Sequence, residues 1–388
     1  MPAETSADAM PELAELASHV WDVVVVGAGP AGCAAAIAAA RAGLQILLVD
    51  AKRFPRRKVC GGCLNRKSLG LLRELLGNDD SLWAHMLPLN CLQLSHRRQR
   101  FRFPMPEGMA VERAALDQSL VTAAQRAGVT FRSPVSAKLL SVQADARLVE
   151  LSGAGQSVRV AARAIVLASG LGGRSAGQYS ALQQTAQATS RVGIEVILDR
   201  FPEHYSQGAI HMVVGRHGYV GLTQIAGGRL HVAAAVDRLA LQRLGPAGLT
   251  RDILQEAGAV HLEQSAGAEW RGTPPLSCRA SRLAAERVFL VGDAAGYVEP
   301  FTGEGIRWAL QSGLGVAPLL IRSQTTCHAP LEREWEVWYR TYIEPEQRLC
   351  RRLANGLKQT PMRWMAHQLL RLSPRVASTI IERLNQES

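Results

Sequence analysis

The sequence predicts an α/β fold, a parallel sheet flanked by helices and interrupted by an inserted antiparallel sheet, and three observations carry this reading. Val23–Val26 is a β-branched run that stops at a glycine, the pattern of a buried parallel strand. An alanine-rich stretch from Ala31 to Ala42 follows and is closed by Gly43, as a helix with a glycine just past its end would be. Far downstream, Arg191 to Val236 alternates short β-rich runs with glycines, which suits antiparallel strands joined by tight turns.

Taken in order, the first twenty residues carry Glu4, Asp8, Glu12 and Glu15 and lack a basic start before an apolar stretch. They read as a frayed tail or short helix and not as a secretory signal. Val23–Val26, the Ala31–Ala42 helix and a second strand at Gln45–Val49 make a βαβ unit. A helix is expected from Ala115 to Arg126, ending at Gly128, with strands at Val129–Val135, Ala164–Ala168 and Val288–Val291. Gly193–Leu198 and Leu230–Val236 are the strands expected in the inserted sheet. From Leu331 onward the pattern is helical and is broken by Pro345, Pro361 and Pro374. Residues 20–80, 108–175 and 280–330 then form a discontinuous parallel-sheet domain, 81–107 and 176–279 a substrate domain, and 331–388 a helical C-terminal region.

The first chemical motif is Gly27-Ala28-Gly29-Pro30-Ala31-Gly32, a GxGxxG between the first strand and the first helix. Gly27 permits the tight turn, Gly29 lets a pyrophosphate approach the backbone, and Gly32 lets helix and strand pack closely. The anion then meets the free N–H groups and dipole of the helix N-terminus. Asp50 ends the second strand roughly 20 residues on, where a carboxylate can bind ribose hydroxyls. This is a Rossmann-type dinucleotide-binding arrangement, with Val135, at the end of a later strand, among its candidate contacts.

The second motif is Gly292-Asp293 at the end of Val288–Val291, running on through Gly303, Gly305 and Ile306. A carboxylate at that strand end can accept hydrogen bonds from the ribitol hydroxyls of a flavin. The turn at Gly303–Gly305 opens a helix whose N–H groups can face the flavin edge where negative charge gathers on reduction. NAD has no ribitol, so the motif points to FAD.

These features resemble the flavoproteins of the p-hydroxybenzoate-hydroxylase fold, and within them the geranylgeranyl reductase family. Pro55-Arg56-Arg57-Lys58-Val59-Cys60-Gly61-Gly62 is similar to that family's PxxKxCGG signature, and Arg113 with Asp117 resembles its RxxxD helix start. Gly292–Ile306 resembles its GD and PxTGEGI segment. The resemblance implies an FAD-dependent oxidoreductase, with Arg113 near the flavin phosphates and Lys58, Cys60, Gly61 and Gly62 on a loop beside flavin and substrate. Two departures matter. Ser169 stands where related aromatic hydroxylases carry the aspartate of a second Asp-Gly motif, which weakens any transfer of their NADPH handling. The WxWxIP segment of halogenating relatives is absent, which argues against halogenation.

Cys60 and Cys63 form a CxxC beside Arg56, Arg57 and Lys58, which could lower a thiol pKa. The resemblance accounts for Cys60 without disulfide exchange, and Cys63 is a candidate substrate contact. Tyr219 is a second candidate for the cavity wall or else a core tyrosine. His204, His211, His217 and His231 could serve as acids or bases, but their spacing matches no metal box. No catalytic residue and no metal ligand is assigned.

The seven cysteines are odd in number and scattered, pointing to a reducing cytoplasm and away from a disulfide framework. A formal net charge of +11 invites a nucleic-acid reading, yet before residue 330 no basic stripe interleaved with stacking aromatics supports it, and there is no zinc-finger spacing. The charge concentrates near the C-terminus, in Arg348, Arg351, Arg352, Lys358, Arg363, Arg371 and Arg375, near Trp335, Trp338, Tyr339, Tyr342 and Trp364. This region is read either as a peripheral membrane contact or as a helical cap with solvated arginines. Three functions stay open: hydride transfer from FAD to a carbon–carbon double bond of a hydrophobic small molecule, aromatic hydroxylation, and a flavin-binding docking module. NADPH or NADH is the expected transient electron donor.

Overall fold

The computed structural model describes residues 13–77, 81–172, 179–259, 262, 267–299, 303–326 and 328–358. The strands of the N-terminal half are β1 (Val20–Val26), β2 (Ile46–Val49), β3 (Cys63–Asn65), β4 (Leu87–His96), β5 (Gln99–Ala110), β6 (Thr130–Arg132), β7 (Ser136–Val142), β8 (Arg147–Gly153) and β9 (Gln156–Leu167). They are followed by β10 (Gln184–Ala186), β11 (Val192–Leu198), β12 (Ala209–Gly215), β13 (Gly218–Ile225) and β14 (Arg229–Val236). The last five are β15 (Arg271–Pro275), β16 (Cys278–Ala280), β17 (Ala284–Ala285), β18 (Val288–Leu290) and β19 (Gly296–Tyr297). The helices are α1 (Pro30–Arg41), α2 (Arg66–Leu76), α3 (Arg113–Arg126), α4 (Arg238–Glu256), α5 (Gly305–Arg322), α6 (His328–Tyr342) and α7 (Glu344–Lys358).

The first sheet has the order β17-β18-β9-β1-β2-β6, with a β7–β8 hairpin joined through β9. Pairings from β18 across to β6 are all parallel. Val23, Val24 and Val25 are fully buried at its centre, and a parallel strand covered in this way needs no polar side. α5 lies on α1 so closely that a Cβ on Gly313 would stand 2.2 Å from the Ala31 carbonyl oxygen. The first strand, first helix and second strand form where the sequence places them. The expected strand Val129–Val135 is shorter and spans Thr130–Arg132, since its pairing with β2 ends at Arg132. β9 begins eight residues before the expected strand at Ala164, since its first half pairs with β8.

The second sheet has the order β15-β11-β14-β13-β12-β4-β5-β3 and is antiparallel except where β12 runs parallel to β4. α4 covers one face, on which Val220, Leu222, Val232, Leu249 and Ile253 pack. The other face turns toward the parallel-sheet domain. β3, which the expected boundaries assign to that domain, pairs with β5 and so belongs to the antiparallel sheet.

The helical C-terminal region begins as a packed cap. Trp335 is fully buried, and its indole donates to the Leu290 carbonyl at 3.0 Å. Pro345 stands at the start of α7, where a missing N–H is tolerated. Arg363, Trp364, Arg371 and Arg375 lie outside the described residues, as do Phe301 and Thr302 of the second motif. Among the described residues no helix is long and apolar enough to cross a membrane.

Candidate functional site

The glycine turn joins β1 to α1. Gly27 has φ +107°, and a Cβ there would stand 2.3 Å from the Ala168 carbonyl oxygen, so only glycine fits between the two central strands. A Cβ on Gly32 would meet the Gly27 carbonyl oxygen at 1.8 Å. Pro30 and Ala31 open the helix with Pro in its first turn, leaving the other early N–H groups pointing outward over Gly29.

Asp50 is fixed by two backbone donors, Ala28 N at 2.9 Å to one oxygen and Lys52 N at 2.9 Å to the other. Val135 donates its N–H to the Asp50 carbonyl at 2.8 Å, so it shares the strand ends with Asp50. Across the turn lies Arg56. Its Nη2 is 3.2 Å from Asp117 and its Nε 3.5 Å from Asp50, and Nε makes no hydrogen bond. Arg113 grips Asp117 with both fork nitrogens at 2.9–3.2 Å. Burial opposes its charge, but Asp117 and a hydrogen bond to Cys60 more than compensate, so the guanidinium stays protonated. Two arginines therefore face the glycine turn, with two carboxylates to neutralise them.

Gly292 and Asp293 follow β18. Asp293 pairs with Lys58 at 3.1 Å, and Lys58 Nζ also lies 3.3 Å from the Cβ position of Gly170. Gly303, at φ +79°, turns the chain into α5. Glu304 at the cap of α5 accepts from Asn65 at 2.7 Å and pairs with Arg307, which fixes the helix start at Gly305 and Ile306 against β3. The Gly303–Ile306 turn and Asp293 thus converge on the loop that carries Lys58.

That loop is tied to the inner face of the antiparallel sheet. Glu195 accepts from Cys60 N at 2.8 Å and lies 3.5 Å from His231. Gly62 faces His231, whose Nδ1 would stand 2.9 Å from a Cβ there, while Gly61 is exposed. Cys63 reaches Thr223 at 3.8 Å. Burial pushes the Cys63 thiol up to about 12, which disfavours its thiolate at neutral pH. Strand register puts Gly193, Ala235 and Tyr219 in one row of the inner face and Glu195, Ala233, Gly221 and Met212 in the next. Small side chains at the centre of these rows leave room above them. A shallow cleft, open to solvent, lies beside this floor between Arg57, Lys58, Arg113, Glu195, Ile225 and His231.

Of the four histidines, His231 alone reaches the site. His211 bonds the Ser206 carbonyl, His217 lies 3.4 Å from Asp237, and His204 packs on Tyr205. Tyr219 is buried beside Tyr297 and Leu276, and is held un-ionised by burial and by a hydrogen bond to Glu299. Among the described residues no group of three or more His, Cys, Asp or Glu is placed to hold a metal.

A family model described as "FAD binding domain" matches residues 20–324. The chain belongs to this FAD-binding family. Among curated relatives is the menaquinone reductase of Mycobacterium tuberculosis, 30% identical over 77% of this chain and 76% of the relative. Another is digeranylgeranylglycerophospholipid reductase 1 of Methanopyrus kandleri, 31% identical over 84% of this chain and 88% of the relative. Among solved structures, a flavoprotein/dehydrogenase from Cytophaga hutchinsonii superposes with a TM-score of 0.72 at 19% identity, covering 88% of this chain and 86% of its own. The flavin-dependent brominase Bmp2 superposes with a TM-score of 0.74 at 16% identity, covering 95% and 94%. These two likenesses are of fold.

The FAD-binding site has the features the cofactor requires. The turn at Gly27–Gly32 has no side chain to block a pyrophosphate, and the buried Arg56 Nε is a donor awaiting an acceptor. Asp50 would take the adenosine ribose, the α1 N-terminus and Arg56 the phosphates, and Asp293 the ribitol. Bound FAD supplies two-electron redox chemistry. The α5 N-terminus offers N–H groups to negative charge. From sequence Arg56 reads equally as a phosphate or substrate contact and as solvated surface charge, and Glu195 was not assigned. A lone glutamate inside the otherwise apolar run Val192–Leu198 was the available signal for Glu195.

Proposed function

We propose that this FAD-dependent oxidoreductase transfers hydride to a carbon–carbon double bond of a hydrophobic small molecule, drawing its electrons from transiently bound NADPH or NADH. The observation that carries the reading is the Cys60–Cys63 loop. It matches a reductase signature and is pinned by Glu195, His231 and Thr223 over a floor of small residues where an apolar chain can lie. Two relatives named as reductases, each about a third identical over most of both chains, support it.

The test is anaerobic. FAD-loaded protein is mixed with NADPH or NADH, and the reduced enzyme is then mixed with menaquinone carrying a short prenyl tail, or with geranylgeraniol. Flavin reoxidation with formation of a product two hydrogens heavier is the expected result. If neither alkene is reduced, and aerobic reoxidation passes through a blue-shifted flavin–oxygen adduct, the enzyme is a hydroxylase and the proposal fails.

A further inference from the structure

Saturating a double bond needs a proton as well as a hydride, and the site holds one phenol placed to give it. Tyr297, on β19, is only partly buried, and its hydroxyl has no hydrogen-bond partner among the described residues. Its ring packs on the first residue of α5, with the hydroxyl 3.4 Å and Cε2 3.2 Å from the Cβ position of Gly305. It shares an apolar cluster with Tyr219 and Leu276 at the edge of the sheet floor. The ionisable groups facing it are Asp293, Cys60, Tyr219 and Arg113, with Cys278 paired to it across β16. Tyr297 therefore stands where the Asp293 turn, the Cys60 loop, the α5 N-terminus and the sheet floor meet. The neighbouring Tyr219 cannot play the part, because its hydroxyl is committed to Glu299, itself held by Arg191 at 2.9 Å.

We propose that Tyr297 is the proton donor to the substrate carbon that does not receive the hydride. The inference rests on the double-bond reading above. One carbon takes a hydride, two electrons and a hydrogen, from the reduced flavin, which is thereby oxidised. The O–H bond of Tyr297 breaks, and its proton joins the adjacent carbon through the electron pair left by the former π bond. The phenolate is then reprotonated by water. Burial and the carboxylate of Asp293 keep the hydroxyl protonated well above the usual tyrosine range. The phenolate, once formed, is met by the Arg113 guanidinium and the positive end of α5.

The experiment compares wild type with Tyr297→Phe as FAD-loaded proteins. In the oxidised state, without substrate, both are titrated to alkaline pH while the flavin spectrum is recorded. A change in the flavin bands of wild type, titrating above the ordinary tyrosine range and missing in Tyr297→Phe, is expected. Identical alkaline spectra would place the phenol away from the flavin and overturn the inference. The reduced proteins are next mixed anaerobically with the two alkenes of the preceding test in D2O. Tyr297→Phe should bind FAD as wild type does, yet reoxidise roughly 100-fold more slowly, the scale of a lost general acid. Wild type should place one deuteron on one face of the second carbon. A variant within threefold of wild type, with the same deuterated product, overturns the role of Tyr297 while leaving double-bond reduction standing. If wild type reduces neither alkene, the reading beneath the inference fails, and the inference with it.

Discussion

Arg56 is the residue whose environment asks most clearly for a ligand. It reaches Asp117 and Asp50 across the glycine turn, yet a buried nitrogen of its fork is left without a hydrogen bond. A planar guanidinium in that position suits a phosphate better than a point charge would. Arg56→Ala should weaken FAD binding by roughly 10- to 100-fold, the worth of one or two charge-assisted hydrogen bonds. Arg56→Lys should recover only part of the loss. Titration of flavin fluorescence measures both. Affinities equal to wild type would mean that Arg56 serves only to tie Asp50 to Asp117. For its neighbour Arg113 the family resemblance implies a place near the flavin phosphates, and in the fold it also pairs with Asp117, so its action on an anion is shared with that carboxylate.

At the scale of elements, α1 is the part that must not move, since its N-terminus and the turn before it form the dinucleotide cradle. It is held by α5 at backbone contact: a Cβ on Gly313 would lie 2.2 Å from the Ala31 carbonyl oxygen and 2.8 Å from Ala34 Cβ. Gly313→Ala should therefore destabilise the protein by about 1–3 kcal/mol, as overpacking does. It should also weaken FAD binding, because α1 has to shift at its first turn. Denaturant unfolding and the same fluorescence titration read the two effects. Wild-type values in both would show that the helices part without consequence. α6 closes the other side of α5, where a Cβ on Gly315 would stand 2.3 Å from the Trp338 ring. A chain cut before α6 would thus lose Trp335 and expose the core that this side chain covers.

For the molecule as a whole, docking of α6 buries His328 to 6% exposure beside Phe289 of β18. Burial, helped by the charge of Arg287, lowers its pKa from 6.5 to about 4. The unfolded chain therefore takes up this proton first as pH falls. The stability that the neutral ring contributes is complete above pH 6.5 and is lost progressively between 6.5 and about 4. His328→Gln should flatten the decline of the thermal midpoint across that window. An unchanged slope would mean that other groups govern acid unfolding.

The strand–turn–helix–strand unit at the N-terminus, the FAD motifs and the family were legible in the sequence, because each rests on local chemistry. A glycine forced by a positive φ, a β-branched run and a carboxylate at a strand end announce themselves within a few dozen residues. The strand ends were less legible, since the pairing of β6 with β2 and of β9 with β8 is decided by what lies opposite. Tertiary structure alone decided the site's inner surface. Glu195 and His231 come from separate strands and reach one cleft with Arg57, Lys58 and Arg113, while Tyr297 meets Tyr219 and Leu276, and only register and sheet packing make these meetings. The sequence by itself determined that this protein holds FAD. Which side chains meet across the strands was settled by long-range packing, whose geometry no short segment contains.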